Sequence, residues 1–171
     1  MAFHPTQPLL ATGSYDEAVK IYNTEDLTLV TTLSDHTSCV FSVAFHPTQS
    51  LLASGSFDDT VNIYNTEDFT LLTTLSDHTS YVRSVAFHPT QPLLATGSND
   101  HTVKIYNTED FTLLTTLSDH TDFVLSVVSI RVVIVLGERS QLQDILFMWD
   151  CVPYAIEGFE DVLQQPKGVK I

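Results

Sequence analysis

The segment AFHPTQPLLATGS begins at Ala2, returns as AFHPTQSLLASGS at Ala44, and returns again at Ala86, a period of 42 residues. Residues 44–85 and 86–127 agree at 34 of 42 positions. Copies this similar must each form the same supersecondary unit. No other feature narrows the choice of fold as far.

Each copy divides into four short apolar runs separated by turn signals. In the second copy the first run is Val40 to His46, in which Val43 and Phe45 alternate with Ser42 and Ala44. Pro47-Thr-Gln predicts a turn, because proline presets φ and offers no N–H to a ladder. Further strands are predicted over Leu51 to Ser56, Thr60 to Tyr64 and Thr70 to Leu75, with turns at Phe57-Asp58-Asp59 and Asn65 to Asp68. Ala53 and Gly55 suit an inner strand where sheets approach closely. Helical periodicity is absent across 1–127. Such a meander is unstable alone and must pack face to face with its neighbours. Units of about 40–45 residues with four strands are the mark of propeller blades. The expected fold is therefore all-β, a partial β-propeller of three to four four-stranded antiparallel blades.

A hydrophobic share of 43% against 16% charged residues indicates a core-forming chain rather than a disordered one. Seven basic against 21 acidic residues give a formal charge of -14, a field that repels phosphate. Nucleic acid and anionic membranes are excluded as expected partners. Cys39 and Cys151 make no disulfide framework, and the N-terminus shows no signal peptide, so an intracellular, cytoplasmic or nuclear location is expected. The apolar run Val132 to Leu136 is too short to span a bilayer and reads as a buried strand.

The segments GSYDEAVKIYN, GSFDDTVNIYN and GSNDHTVKIYN resemble the second hairpin of WD repeats, whose usual text is close to GSxDxTVKIWD. FHPTQPLLATGS resembles FSPDGxxLASGS, and Asp-His at 35–36, 77–78 and 119–120 stands in the place of Gly-His. The resemblance covers about 1–127. It implies a non-enzymatic scaffold for protein–protein interaction. It also implies, in each blade, a hydrogen-bonded network of a His, a Ser or Thr, an Asp and a Trp. Carried over, one network is His36, Ser54 or Ser56, Asp58 and Tyr64; the next is His78, Thr96 or Ser98, Asp100 and Tyr106, with Ser56 and Ser98 taken as the hydroxyl members. In a meander alternate loops share an end, which places each His beside its Asp. The sequence departs from the pattern in that tyrosine replaces tryptophan, and the carboxylate before each network His is expected to favour imidazolium.

Ser, His and Asp are also the residues of a nucleophile triad. Repetition on every blade argues against catalysis, which needs one pocket with an oxyanion hole, and no GxSxG elbow is present. His4, His46 and His88 recur at the blade period rather than at metal-ligand spacing and are read as turn-bonding residues. His101 is read as exposed, and the acidic NTED turns from Asn23, Asn65 and Asn107 as solvated. No catalytic residue, metal or cofactor is expected.

Differences between the copies cluster at one end of the blades. The turn between strands two and three varies at Tyr15/Phe57/Asn99 and Glu17/Asp59/His101. The entry to the first strand varies at Cys39/Tyr81/Phe123 and Phe41/Arg83/Leu125. The expected partner-binding rim is Tyr15, Glu17, Cys39, Phe41, Phe57, Asp59, Tyr81, Arg83, Asn99, His101 and Phe123. Its types are those enriched in binding hot spots. Drift after recent duplication is the competing reading.

Repeats are placed at about 2–43, 44–85 and 86–127. The first begins inside its first strand, and after Val127 the copy fails. Residues 128–150 read either as a degenerate fourth repeat or as a frameshift. Val-Ser-Ile-Arg encoded GTT TCC ATC CGN contains TTC CAT CCG, Phe-His-Pro, one base earlier; genomic DNA lacking that reading removes the idea. A non-repeat tail, 151–171, follows, with a short helical turn over Gly158 to Gln165. Three blades do not close a ring, so a homo-oligomer completing the propeller is one expectation. A truncated gene product without independent function is the other.

Overall fold

A computed structural model of the chain describes residues 1–136 and 139–149. Blade 1 comprises β1 (Ala2–Phe3), β2 (Leu9–Gly13), β3 (Val19–Asn23) and β4 (Leu29–Leu33). Blade 2 comprises β5 (Val40–Phe45), β6 (Leu51–Ser56), β7 (Val61–Asn65) and β8 (Leu71–Leu75). Blade 3 comprises β9 (Val82–Phe87), β10 (Leu93–Ser98), β11 (Val103–Asn107) and β12 (Leu113–Leu117). Each blade is an antiparallel meander in chain order. Together they form a partial β-propeller. Within 128–150, the described residues belong to β13 (Ser126–Leu136) and β14 (Arg139–Trp149), which pair with each other as a two-stranded sheet. Val132 to Leu136 thus lies in a strand. The tail 151–171, with its expected helical turn, lies outside the described residues.

The third strands begin and end one residue later than the alternation predicts, because the turn residue Thr60 faces Asp58 instead of joining the ladder. The fourth strand is the most exposed in each blade. In blade 2 the run from Leu52 to Ser56 is wholly buried, whereas Leu71 and Leu72 on β8 are exposed.

The core lies between blades and is built twice from the same parts. Ala11, Val19, Ile21 and Leu33 of blade 1 receive Val43, Phe45, Leu52 and Tyr64 of blade 2. Ala53, Val61, Ile63 and Leu75 of blade 2 receive Val85, Phe87, Leu94 and Tyr106 of blade 3. Beyond blade 3, Val124 and Val127 cover Ala95 and Val103. Small residues on the second strands make this approach possible. A Cβ placed on Gly55 meets the Val82 Cγ1 at 2.8 Å and the Val85 Cγ1 at 3.1 Å. Serines join the innermost strands: the Val85 amide donates to Ser42 Oγ at 3.2 Å, and the Val127 amide to Ser84 Oγ at 3.1 Å.

Candidate functional site

At one end of the blades the loop before each first strand meets the turn between the second and third strands. His36 Nδ1 lies 2.8 Å from Asp58 Oδ2, and its Nε2 lies 2.7 Å from Ser54 Oγ. In the next blade His78 Nδ1 is 2.7 Å from Asp100 Oδ2, and its Nε2 is 2.7 Å from Thr96 Oγ1. The Thr37 and Thr79 amides donate to the same carboxylate oxygens. Thr60 and Thr102, which the sequence reading noted only as positions where the copies differ and did not place in the network, donate through Oγ1 to the other oxygen at 2.6 Å in each case. Their only signal was the Thr that follows the Asp by two residues in the resembled text.

Ser56 and Ser98 do not meet the imidazole, which corrects their place in the network. Ser56 Oγ donates to the Ser38 carbonyl and accepts from the Asp58 amide; Ser98 does the same with Ser80 and Asp100. Ser54 and Ser56 lie two apart, on one face of β6. A register shift opposite Gly55 and Ser56 turns the second serine toward the loop. The tyrosines differ from each other as well. Tyr64 Oη accepts from Asn62 Nδ2 at 3.3 Å. In blade 3 that position is Lys104, whose ammonium goes to Thr116 Oγ1, and Tyr106 Oη makes no hydrogen bond of good geometry among the described residues. Burial pushes the Tyr64 phenol up to about 12, and Asp35 adds to the rise. Burial followed by the charge of Asp77 raises Tyr106.

The preceding carboxylate does not make His78 an imidazolium. Burial lowers its pKa and outweighs the opposing pull of Asp100, with the charge of Asp77 a smaller contribution still. A neutral ring fits the bonds: Nδ1–H donates to Asp100, and Nε2 accepts from the Thr96 hydroxyl. Burial pushes the Asp100 carboxyl up, but Thr102, His78 and the Thr79 amide outweigh it and hold the pKa at about 2. Once unfolded, the carboxylate returns to 3.8 and the imidazole to 6.5. Both groups therefore bind fewer protons folded than unfolded, so stability falls with acidification. The His78 contribution is complete above pH 6.5 and declines below it. The Asp100 contribution is complete above about pH 4 and is lost toward pH 2. The melting temperature is expected to be flat above neutrality, to decline below pH 6.5, and to fall most steeply below pH 4. A rise between pH 7 and pH 6 in a calorimetric series would contradict this assignment.

Taken as distances alone, Ser54–His36–Asp58 has the form of a nucleophile triad. Ser54, however, is 0% exposed and His36 5%. A hydroxyl sealed between strands cannot meet a substrate carbonyl. The arrangement is suited to tying a loop to a turn.

The histidines of the FHPTQ turns do a different task. His46 Nδ1 accepts the Thr48 and Gln49 amides at 3.1 and 2.9 Å, and His4 and His88 do the same in their own turns. The rings of His4 and His46 pack edge-on against Phe45 and Phe87 of the following blades, each at 4.9 Å. In the NTED turns, Asn65 and Asp68 accept the Glu67 and Thr70 amides. These side chains close their own turns.

The residues expected at the rim converge into a row of rings crossing all three blades. Tyr15 meets Phe41 edge-on at 6.2 Å, Phe41 meets Phe57 at 5.9 Å, and Phe57 stacks on Tyr81 at 3.4 Å between centroids. The guanidinium of Arg83 lies 4.5 Å over the Phe41 ring, and its Nε donates to Asn99 Oδ1 at 2.9 Å. Cys39 Sγ points to the Tyr15 carbonyl at 3.8 Å. His101 and Phe123 form a separate pair at 5.6 Å. His101 is half-buried rather than exposed, because that contact covers one face of its ring. Glu17, Asp59 and His101, at equivalent positions, all hold positive φ, at 67°, 70° and 69°. Such backbone is uncommon without glycine. Nothing in the sequence pattern signalled it.

The family model described as WD domain, G-beta repeat matches residues 1–23, 27–65 and 69–107. Two of these windows begin at the outermost strand of one blade and end at the third strand of the next, so repeat and blade are offset by one strand. Comparison with curated proteins gave no match. Repeats of this kind are generally platforms for protein interaction and typically not enzymes. With matches spread over all three blades and the His–Asp pairs in place between loop and turn, the chain belongs to the WD40 repeat family.

Proposed function

We propose that the chain is a non-enzymatic scaffold that binds a protein or peptide through the Tyr15–Phe41–Phe57–Tyr81 rim. The observation that carries this reading is the unbroken ring-to-ring contact across three blades, formed at the positions where the copies differ. Tyr15 is 80% exposed and Phe57 37%. Aromatic anchors of this kind, backed by a rigid sheet, supply large contact area at low entropic cost. A groove of about 370 Å³ opens at the opposite end between blades 2 and 3, lined in part by Gln49, Asn65, Glu67 and Glu109. Those are turn residues common to the copies; Asn65 accepts the Glu67 amide within its own turn, and the Glu67 carboxylate accepts from the Ser50 hydroxyl.

Selection of peptides from a random display library against the folded chain tests the proposal. Selected peptides are expected to lose about 30-fold in affinity on Phe41→Ala, the effect of a hot-spot anchor. They should keep their affinity on Leu72→Ala, an exposed outer-strand position. Equal losses at both positions, or none at Phe41, would place binding elsewhere.

A further inference from the structure

Two features of the rim bear on the chemistry of what it binds. The first is charge. The turns 15–18, 57–60 and 99–102 and the loops 34–39, 76–81 and 118–123 contain nine Asp or Glu and no Lys or Arg. The second is Arg83. It makes no ion pair among the described residues, despite the surrounding carboxylates. Its guanidinium lies instead 4.5 Å over Phe41 and 5.9 Å from Tyr81, with a single hydrogen bond to Asn99. A cation over these rings is thus already part of the surface, and it is supplied by the chain itself.

We propose that the rim docks a basic peptide segment whose guanidinium takes the place over Phe41 that Arg83 fills. The proposal rests on the scaffold reading above and narrows its partner class. The acidic turns attract the segment, and the ring row receives its side chain by cation–π contact. Arg83 swings out at the cost of its own contacts with Phe41 and Tyr81 and of one neutral-acceptor hydrogen bond to Asn99. Its tenancy reduces apparent affinity by the fraction of time the place is filled.

The test uses the full chain at physiological salt with three synthetic peptides: alternating Gly-Arg, alternating Gly-Glu and alternating Gly-Ser decamers, titrated by calorimetry. The Gly-Arg peptide is expected to bind at least about tenfold more tightly than either other. Phe41→Ala should weaken it about tenfold, and Arg83→Ala should strengthen it about threefold. Arg83→Met, which keeps the apolar stem packed, should strengthen it likewise and guards against a folding defect in the alanine variant. Three results would overturn the proposal: no binding of Gly-Arg, binding unchanged by Phe41→Ala, or weakening by both Arg83 variants. Preference for Gly-Glu with the Phe41 dependence intact would sink the basic-partner inference while leaving the scaffold reading standing. Library peptides indifferent to Phe41 would instead remove the scaffold reading itself.

Discussion

Replacing His78 with alanine is expected to reduce the unfolding free energy by about 3 kcal/mol, near 10 °C in melting temperature for a domain of this size. The loss is large because three groups are affected at once. The imidazole takes with it both of its hydrogen bonds. It leaves Asp100, whose side chain is 7% exposed, and Thr96, which is 0% exposed, without their partner. Asp100 keeps its Thr79 and Thr102 donors, but losing one donor to a buried ionised carboxylate costs more than losing a bond between neutral groups. The equivalent His36→Ala should behave alike, since its distances match within 0.1 Å. His88→Ala, which removes only an exposed acceptor from two turn amides, should cost about 1 kcal/mol. In a double-mutant cycle, His78→Ala and Asp100→Ala together should cost clearly less than the sum of the two. Strict additivity would mean that the pair is not coupled.

The second large effect is expected at the glycines of the second strands. Gly55→Ala should destabilise by about 2 kcal/mol, since its Cβ falls 2.8 Å from Val82 Cγ1. Valine is stiff at χ1 and cannot swing aside. The obstacle is nevertheless a side chain, so Val82→Ala should recover part of the loss. Gly13→Ala meets a different obstacle, because its Cβ lies 2.9 Å from the Val40 carbonyl oxygen as well as 2.7 Å from Val40 Cγ1. Trimming Val40 to alanine leaves that oxygen in place, so no comparable recovery is expected. Urea denaturation of the four single and two double variants measures the contrast. Equal recovery at both sites would show that the blades move apart as rigid bodies.

The architecture was legible because turn chemistry repeats. Pro47, the Asn65 to Asp68 turn and the alternation of Val43 with Ser42 are local signals, and tertiary packing reinforced rather than overrode them. The pairing of loop histidine with turn aspartate was implied by the family resemblance and agreed with meander geometry. What a one-dimensional pattern does not carry is direction and depth. Ser54 and Ser56 occupy the same face, and a bulge decided between them. The proton affinity of His78 depends on how completely its ring is enclosed, so the neighbouring carboxylate at 77 was a misleading cue. Tyr106 loses the partner that Tyr64 keeps because one strand neighbour is lysine instead of asparagine. At the rim, the differences between copies marked positions that the fold gathers at one end of the blades. The order of ring contacts, and the placing of Arg83 over Phe41, depend on rotamers that only packing selects.

The twice-built contact between blades also bears on how the chain finds its native arrangement. The rear of blade 1 is Ala, Val, Ile and Leu at 11, 19, 21 and 33, and it meets Val, Phe, Leu and Tyr from blade 2. Blade 3 offers the same four types at 85, 87, 94 and 106. The core side chains alone therefore give blade 1 no means of telling its proper neighbour from the one after, or from the same blade of another molecule; only rim contacts such as Tyr15 with Phe41, where blade 3 has Arg83, differ. Most of the discrimination falls to the tether. The short connection from β4 to β5 keeps blade 2 at a high effective concentration beside blade 1, whereas blade 3 must loop out a whole blade to compete. The correct sequence of blades is thus written in connection length, and crowding many copies together during synthesis erodes that advantage.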